Sequence, residues 1–401
     1  MKTYYLMIAA FFLIGSMSGQ QTENAIPLYE YKFSREIAEG LSTGEMHIVK
    51  ASQYYSYIGE YQKALSVPNE FHALEWGFDT LTAGDRMYFE GFGPVNAVDA
   101  IIERAKSEQI VILNEAHHKP IHRVFTRKLL QDLFNNGYRY FGLEALNNCD
   151  YVPSEFCDSL LNERGYPLNS PLSGTYVTEP QMSNLIREAI EIGFRLFPYD
   201  RFGEGRESYQ AAYIAKVLDQ DPDAKILILC GGYHLLESEI RGKRFMGYYL
   251  KEKTGIDPFT IYQDILIERN CTQESPFLEM MDYDEEKVFL NEAGDFYNGR
   301  ADFKMFDALV YHPRTKYMWN RPSWLVNFEG NQVFYVEGIE VGYPCIIKAY
   351  NTNEGSESVP VDIIEKEYEF DTTVLVLPKG KYRLEITDIT GQQEIKTVEV
   401  E

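Results

Sequence analysis

The chain has few of the residues that define several common site types. Its 401 residues include only 5 cysteines and 7 histidines. The cysteine spacing fits no zinc motif, so a structural zinc domain is excluded. No Gly-x-Ser-x-Gly sequence stands between a predicted strand and a helix, which disfavours a serine hydrolase of the α/β type.

Positive charge is also scarce. Lysine and arginine total 38 against 61 acidic residues, giving a net charge of -23 at pH 7. Binding to nucleic acid needs basic residues that neutralise phosphates, so this balance argues against a nucleic-acid partner. Apolar residues make up 45% of the sequence, enough for a sizeable core, and the length predicts two or three domains.

Long hydrophobic runs are absent after the first residues. Lys2 precedes an apolar run over 4–14, and small residues follow at Ser16, Ser18 and Gly19. This order predicts a signal peptide over 1–19 and a secreted or periplasmic protein. No later segment approaches 18 uncharged apolar residues, so no membrane span is expected after signal removal. In an oxidising compartment, Cys149 and Cys157 either form a disulfide or stay free.

The hydrophobic pattern changes twice along the remaining chain. Residues 20–94 have helical periodicity and predict an N-terminal helical cap. Residues 95–328 alternate apolar runs with amphipathic helices, including helices from 95 and over 238–255. This alternation predicts an α/β fold with a mostly parallel β-sheet flanked by helices. Over residues 329–401, short segments of alternating apolar and polar residues are separated by turn residues. This pattern predicts a small antiparallel β-domain.

Acids and histidines follow five of the predicted strands. In an open parallel sheet, ligands bind outside the carboxyl ends of the strands. We therefore expect these side chains to share one cleft. They are, in chain order, Glu115 with His117 and His118, then Glu144, Asp200, His234 and His312.

Ordinary structural roles compete with a functional role at some of these positions. Asp200 could cap the next helix. His122 is expected on a helix face in a structural role, and His312 could be a plain loop residue. A purely structural role explains Glu144 less well, because it lies in an apolar segment and a buried unpaired carboxylate is costly. His234 follows two glycines that let the backbone approach a ligand closely.

Four short motifs over roughly residues 95–325 resemble one superfamily. They are "NEAHH" after the first core strand, "LEAL" after the second, "GRESYQAAYIA" and "GGYH". In this order they resemble the superfamily of erythromycin esterases, ChaN-like haem-binding proteins and TIKI/TraB proteins. Asn114 replaces the glycine usual in the first motif. The spacing suits both His117 and His118, so the functional histidine stays open between them.

The resemblance implies a hydrolase as the leading hypothesis. His117 or His118 would activate water, and Glu115 or Glu144 would orient that histidine. His234 would act on the oxyanion or leaving group, and Arg206 would stabilise negative charge. A variant of this mechanism has a divalent metal ion held by Glu115, His117, Glu144 and His234.

Two other functions compete with hydrolysis. A ChaN-like protein would bind haem through its histidines, and an interaction protein with a decayed site would do no chemistry. The substrate, whether a small molecule, a peptide or a sugar, is left open by the sequence.

Overall fold

The computed structural model describes residues 28–67, 80–153, 157–269, 274–301 and 305–401. The expected signal peptide over 1–19 lies outside these residues. Within the described ranges, no helix is long and apolar enough to cross a membrane.

Four helices form the N-terminal part of the described chain: α1 (Ser34–Thr43), α2 (Ile48–Tyr57), α3 (Tyr61–Ser66) and α4 (Ala83–Phe89). The first three pack on strands from the far end of the sequence. Ile37, Ala51 and Ile58 share one buried apolar cluster with Ile346 and Ile363. The N-terminal helices and the C-terminal strands therefore share a core, although about 300 residues separate them in sequence.

An eight-stranded sheet forms the centre of the molecule, in the order β1-β7-β8-β6-β2-β5-β3-β4. Its six strands from β8 to β4 are parallel, whereas β7 runs antiparallel to both of its neighbours, β8 and the edge strand β1. The predicted mostly parallel α/β sheet is thus confirmed. The strands are β1 (Gly93–Asn96), β2 (Ile110–Glu115), β3 (Tyr138–Leu143), β4 (Arg195–Pro198), β5 (Lys225–Gly231), β6 (Phe259–Leu266), β7 (Lys287–Leu290) and β8 (Ala308–Tyr311).

Helices connect these strands and cover the sheet. They are α5 (Ala97–Ala105), α6 (Ile121–Asn135), α7 (Leu161–Arg164), α8 (Pro180–Ile192), α9 (Arg206–Gln220) and α10 (Met246–Thr254). Every residue of β2 is buried, as expected for a central strand covered on both faces. Register aligns the carboxyl ends of the central strands: Glu115 lies opposite Gly231, and Leu143 lies opposite Leu229.

Two predicted helices are shorter in the structure than expected. The helix expected from residue 95 begins at Ala97, because Gly93–Asn96 pairs with β7 and the Asn96 side chain caps the helix. The helix expected over 238–255 is reduced to Met246–Thr254, because Arg241 and Gly242 take left-handed backbone angles that a helix cannot contain. Strand β7 was not predicted.

The C-terminal part of the chain forms small antiparallel sheets. The larger sheet has the order β13-β12-β15-β16, and β11 pairs with β14. A buried ion pair between Arg321 and Asp362 joins the hairpin β9–β10 to this part. Cys149 and Cys157 form a disulfide. The elements are β9 (Tyr317–Met318), β10 (Arg321–Pro322), α11 (Ser323–Val326), β11 (Asn331–Tyr335), β12 (Cys345–Asn351), β13 (Asp362–Lys366), β14 (Val374–Pro378), β15 (Gly380–Asp388) and β16 (Gln393–Val400).

Docking of the N-terminal helices on β13 can be tested at Gly59. Gly59 and Gly44 both have left-handed backbone angles, so alanine strains either site by about 1–2 kcal/mol. A Cβ at Gly59 would also stand 2.1 Å from the Ile363 carbonyl oxygen, whereas a Cβ at Gly44 has open space. Gly59→Ala should therefore lower the free energy of unfolding by at least about 2 kcal/mol more than Gly44→Ala in urea titrations. Equal losses would show that the helices do not dock there.

Candidate active site

A buried arginine organises the exit of β2. The Arg123 side chain is fully buried on α6 and donates to Glu115 Oε2 from Nε at 2.6 Å. It also donates to Glu179 Oε2 at 2.7 Å. Burial opposes ionisation of Glu115, but Arg123 and His117 outweigh it and hold the pKa of Glu115 well below its usual range. Glu115 is therefore a carboxylate, and its Oε1 lies 2.8 Å from His117 Nδ1.

The geometry assigns a tautomer to His117. A carboxylate can only accept hydrogen bonds, so Nδ1 of His117 carries a proton and donates it to Glu115. In the neutral ring, Nε2 is then left with a free lone pair. The ring stacks on Tyr176, with the two ring centres 3.8 Å apart, and this contact fixes the plane of the imidazole.

A second carboxylate, Glu144, directly follows β3. Its Oε1 accepts from Arg206 at 2.7 Å, and its Oε2 accepts from the backbone N–H of Gly231. Burial raises the pKa of Glu144, but His234, Arg206 and the Gly231 N–H outweigh burial and lower it. Arg206 is also held by Asp200, with contacts of 2.8 and 2.6 Å.

His234 lies just after β5 and faces Glu144. Its Nδ1 lies 2.7 Å from Glu207 Oε2, and its Nε2 lies 3.7 Å from Glu144 Oε1. Glu207 also accepts the backbone N–H of Met246 at the start of α10, which fixes the carboxylate. Burial opposes the charged imidazole, but Glu144 and Glu207 outweigh it and raise the pKa of His234 above its usual value.

These three strand exits meet at one point. A Cβ placed on Gly231 would stand 2.6 Å from His117 Nε2 and 3.2 Å from Glu144 Oε2. Only glycine leaves room there for both groups. A cavity of about 300 Å³ opens over them, at the small end for a small-molecule site. Its lining consists of His117, Glu144, Thr175, Tyr176, Asp200, Phe202, Arg206, Gly231, Gly232, Tyr233, His234 and Phe245.

The structure distinguishes the two adjacent histidines. His117 lines the cavity, whereas His118 is not among the lining residues. The charge of His118 acts instead on Asp264 of β6. Burial opposes ionisation of Asp264, but Lys119, His122 and His118 lower its pKa to about 2.

The other predicted residues divide between the cavity and the core. Asp200 lies at the cavity and does not cap α9, because it accepts from the side chains of Arg206 and Gln210. His122 on α6 and His312 just after β8 are fully buried beside each other, with ring centres 5.4 Å apart. Nδ1 of His122 accepts the backbone N–H of Ala116, between Glu115 and His117.

The expected metal ligands do not suit a divalent ion. Both oxygens of Glu115 are bound by Arg123 and His117, and both oxygens of Glu144 by Arg206 and Gly231. A metal would have to displace an arginine from each carboxylate and would add positive charge beside it. Among the described residues, no group of three or more His, Cys, Asp or Glu side chains is arranged to hold a metal ion.

Four residues of the site were missed by sequence reasoning. Arg123, Tyr176, Glu179 and Glu207 follow no predicted strand, and their roles depend on contacts between distant segments. Glu207 alone had a local signal, because it stands next to Arg206 at the start of α9.

Comparisons with known proteins give distant likenesses only. No protein-family model matches the chain, and no curated protein sequence matches it. Among solved structures, the type III effector HopBA1 is 14% identical, with a TM-score of 0.30 over 43% of this chain and 86% of that one.

Two bacterial toxin structures are similarly distant. RRSP, a MARTX toxin effector domain from Vibrio vulnificus CMCP6, is 15% identical, with a TM-score of 0.27 over 65% of this chain and 48% of that one. The C-terminal region of Pasteurella multocida toxin, described with a thiol-protease like catalytic triad, is 10% identical with a TM-score of 0.30. This chain spans 54% of that structure's length. Likenesses at these scores carry no argument about function.

Acid stability tests the buried histidine pair. Burial lowers the pKa of His312 to about 4, so the native ring stays neutral while the unfolded ring gains a proton below about pH 6.5. Its contribution to stability is therefore lost as pH falls from about 6.5 towards 4. Between pH 6.5 and 4.5, the wild type should lose roughly 2 kcal/mol more unfolding free energy than His312→Leu.

The difference between the two proteins isolates this effect from the carboxyl groups. Burial and the neighbouring Asp257 and Asp307 raise the pKa of Glu237 to about 8, so that group adds stability on acidification in both proteins alike. Urea titrations at the two pH values give the comparison. The same pH dependence in both proteins would contradict a buried neutral His312.

Proposed function

We propose that the protein is a hydrolase that cleaves an ester or amide with the His117 and His234 imidazoles. One observation carries the proposal: both rings face a single cavity, each is fixed by its own carboxylate at Nδ1, and Glu144 lies beside both. In general acid–base hydrolysis, one group takes a proton from water and another gives a proton to the leaving group. In agreement with the predicted signal peptide, the proposed place of action is outside the cytoplasm.

His117 is the general base. Its Nε2 takes a proton from a water molecule in the cavity, and the water oxygen forms a bond to the substrate carbonyl carbon. Glu115 stabilises the imidazolium that results and holds the ring in the tautomer that leaves Nε2 free. Because Arg123 shares the charge of Glu115, the carboxylate stays ionised and cannot take the proton from His117.

His234 is the general acid. Its raised pKa favours the protonated ring, and the residue lines the cavity. That proton passes to the leaving oxygen or nitrogen as the bond between the carbonyl carbon and the leaving group breaks. The products are an acid and an alcohol or amine. Loss of the proton on His117 and uptake of one by His234 then restore the starting state.

Glu144 and Arg206 prepare the cavity for this reaction. Arg206 is neutralised by Glu144 and Asp200, so its principal role is to hold Glu144 ionised rather than to bind an oxyanion directly. Glu144 in turn raises the pKa of His234, which favours its protonated form. Tyr176, Phe202, Tyr233 and Phe245 supply an aromatic lining suited to an organic group on the substrate.

The site motifs are the reason to propose membership of the erythromycin esterase, ChaN-like and TIKI/TraB superfamily. Glu115 and His117 come from "NEAHH", Glu144 from "LEAL" and His234 from "GGYH". All four residues follow parallel strands in this chain, and this shared placement supports the proposal.

The proposal is tested with purified protein on a series of p-nitrophenyl esters and on a peptide mixture read by mass spectrometry. His117→Ala, His234→Ala and Glu144→Gln should each reduce hydrolysis by about 10²–10⁴-fold with the fold retained. Hydrolysis should survive EDTA, because the carboxylates are bound to arginines. His118→Ala should cost far less than His117→Ala.

The matched control is His47→Ser. His47 is an exposed histidine that caps α2, and serine keeps the cap while removing the imidazole. This variant should hydrolyse at the wild-type rate, which excludes turnover by surface histidines. Unchanged turnover in both Glu144→Gln and His234→Ala would overturn the proposal.

A further inference from the structure

Residues 175–179, here called the Tyr176 segment, connect to the candidate base in two ways. Tyr176 stacks on the His117 ring at 3.8 Å. Glu179 binds Arg123 at 2.7 Å, and Arg123 binds Glu115. A displacement of this segment would therefore move His117 in two ways, through the stacked Tyr176 ring and through the Glu115 carboxylate.

The Tyr176 segment lies outside the strands and helices and is held from outside the α/β core. Three tyrosine hydroxyls of the N-terminal part donate to it: Tyr57 to the Thr175 carbonyl at 3.3 Å, Tyr31 to the Thr178 carbonyl at 3.0 Å and Tyr61 to Glu179 Oε1 at 3.3 Å. Backbone carbonyls in such a segment have no ladder partner, so these hydroxyls satisfy groups that would be costly to leave unpaired.

Tyr57 and Tyr61 are rigid donors. Each is only 4% exposed. Burial raises the pKa of both phenols, so both keep their protons over the whole physiological range. The Tyr61 ring also lies 5.7 Å from the Arg321 guanidinium, which is paired with Asp362 in the C-terminal part.

We propose that Tyr57 and Tyr61 are positioning residues for the His117–Glu115 base, and that the N-terminal helices are thereby part of the active site. Tyr57 fixes the backbone next to Tyr176 and so sets the position of the Tyr176 ring relative to the His117 ring. Tyr61 fixes the Glu179 carboxylate that orients Arg123. The kinetic part of this inference rests on the proposed hydrolase function, whereas the geometric part does not.

The experiment uses the full chain with Tyr57→Phe and Tyr61→Phe, singly and together. A stacked aromatic ring shifts the His117 Cε1 proton signal upfield, so the NMR shift of that proton reports the stacking directly. In the double variant this signal should move downfield, and kcat on the panel substrates should fall about tenfold or more with KM nearly unchanged.

Tyr138→Phe is the matched control. Tyr138 is a fully buried tyrosine whose hydroxyl donates to the carbonyls of Ala105 and Glu108, away from the cavity. It should lose about as much stability as either single variant, about 1 kcal/mol for the one hydroxyl removed, without moving the His117 signal. If the double variant does not fold, the single variants carry the same comparison.

The outcomes separate this inference from the proposed function. If the His117 signal shifts in the double variant but the wild type hydrolyses no substrate, the inference is supported and the hydrolase function is overturned. The wild type could instead hydrolyse substrate while the His117 signal moves no more in Tyr57→Phe or Tyr61→Phe than in Tyr138→Phe. That result overturns the inference and leaves the hydrolase function supported.

Discussion

The structure of the site depends on a buried arginine shared by two carboxylates. Arg123 has no exposed side-chain surface and binds both Glu115 and Glu179. Burying an ion costs several kcal/mol, and that cost is offset only when the partner charges and hydrogen bonds are all in place. Glu115 is thereby ionised beside His117, and Glu179 is fixed at the start of α8, where it also accepts the Met182 N–H. Burying these three charges contributes little to the free energy of folding. Their arrangement is explained instead by the support that it gives to the His117 imidazole.

The two imidazoles differ because their surroundings carry different charge. His234 lies between two carboxylates, Glu144 and Glu207, of which Glu144 is paired with Arg206. His117 contacts one carboxylate, and Arg123 already compensates that carboxylate. Environments that treat two titratable groups differently are how a protein assigns an acid and a base at one pH.

Much of the fold and part of the site could be predicted from sequence. The strand-and-helix alternation fixes a parallel sheet, and parallel direction brings Glu115, Glu144 and His234 to the same edge, because strand exits align in register. Strands β1 and β7 were not predicted, because they are short and pair antiparallel with each other outside the alternation of parallel strands and helices. Arg123 and Tyr176 could not be found either, since their partners are set by packing between distant segments.

The most direct test of the account is an NMR pH titration of His234 in the wild type and in Glu144→Gln. The central claim is that an ionised Glu144 beside His234 keeps that imidazole protonated for catalysis. His234 should titrate above about pH 6.5 in the wild type and at clearly lower pH in the variant. A midpoint that does not change when the Glu144 charge is removed would contradict that claim.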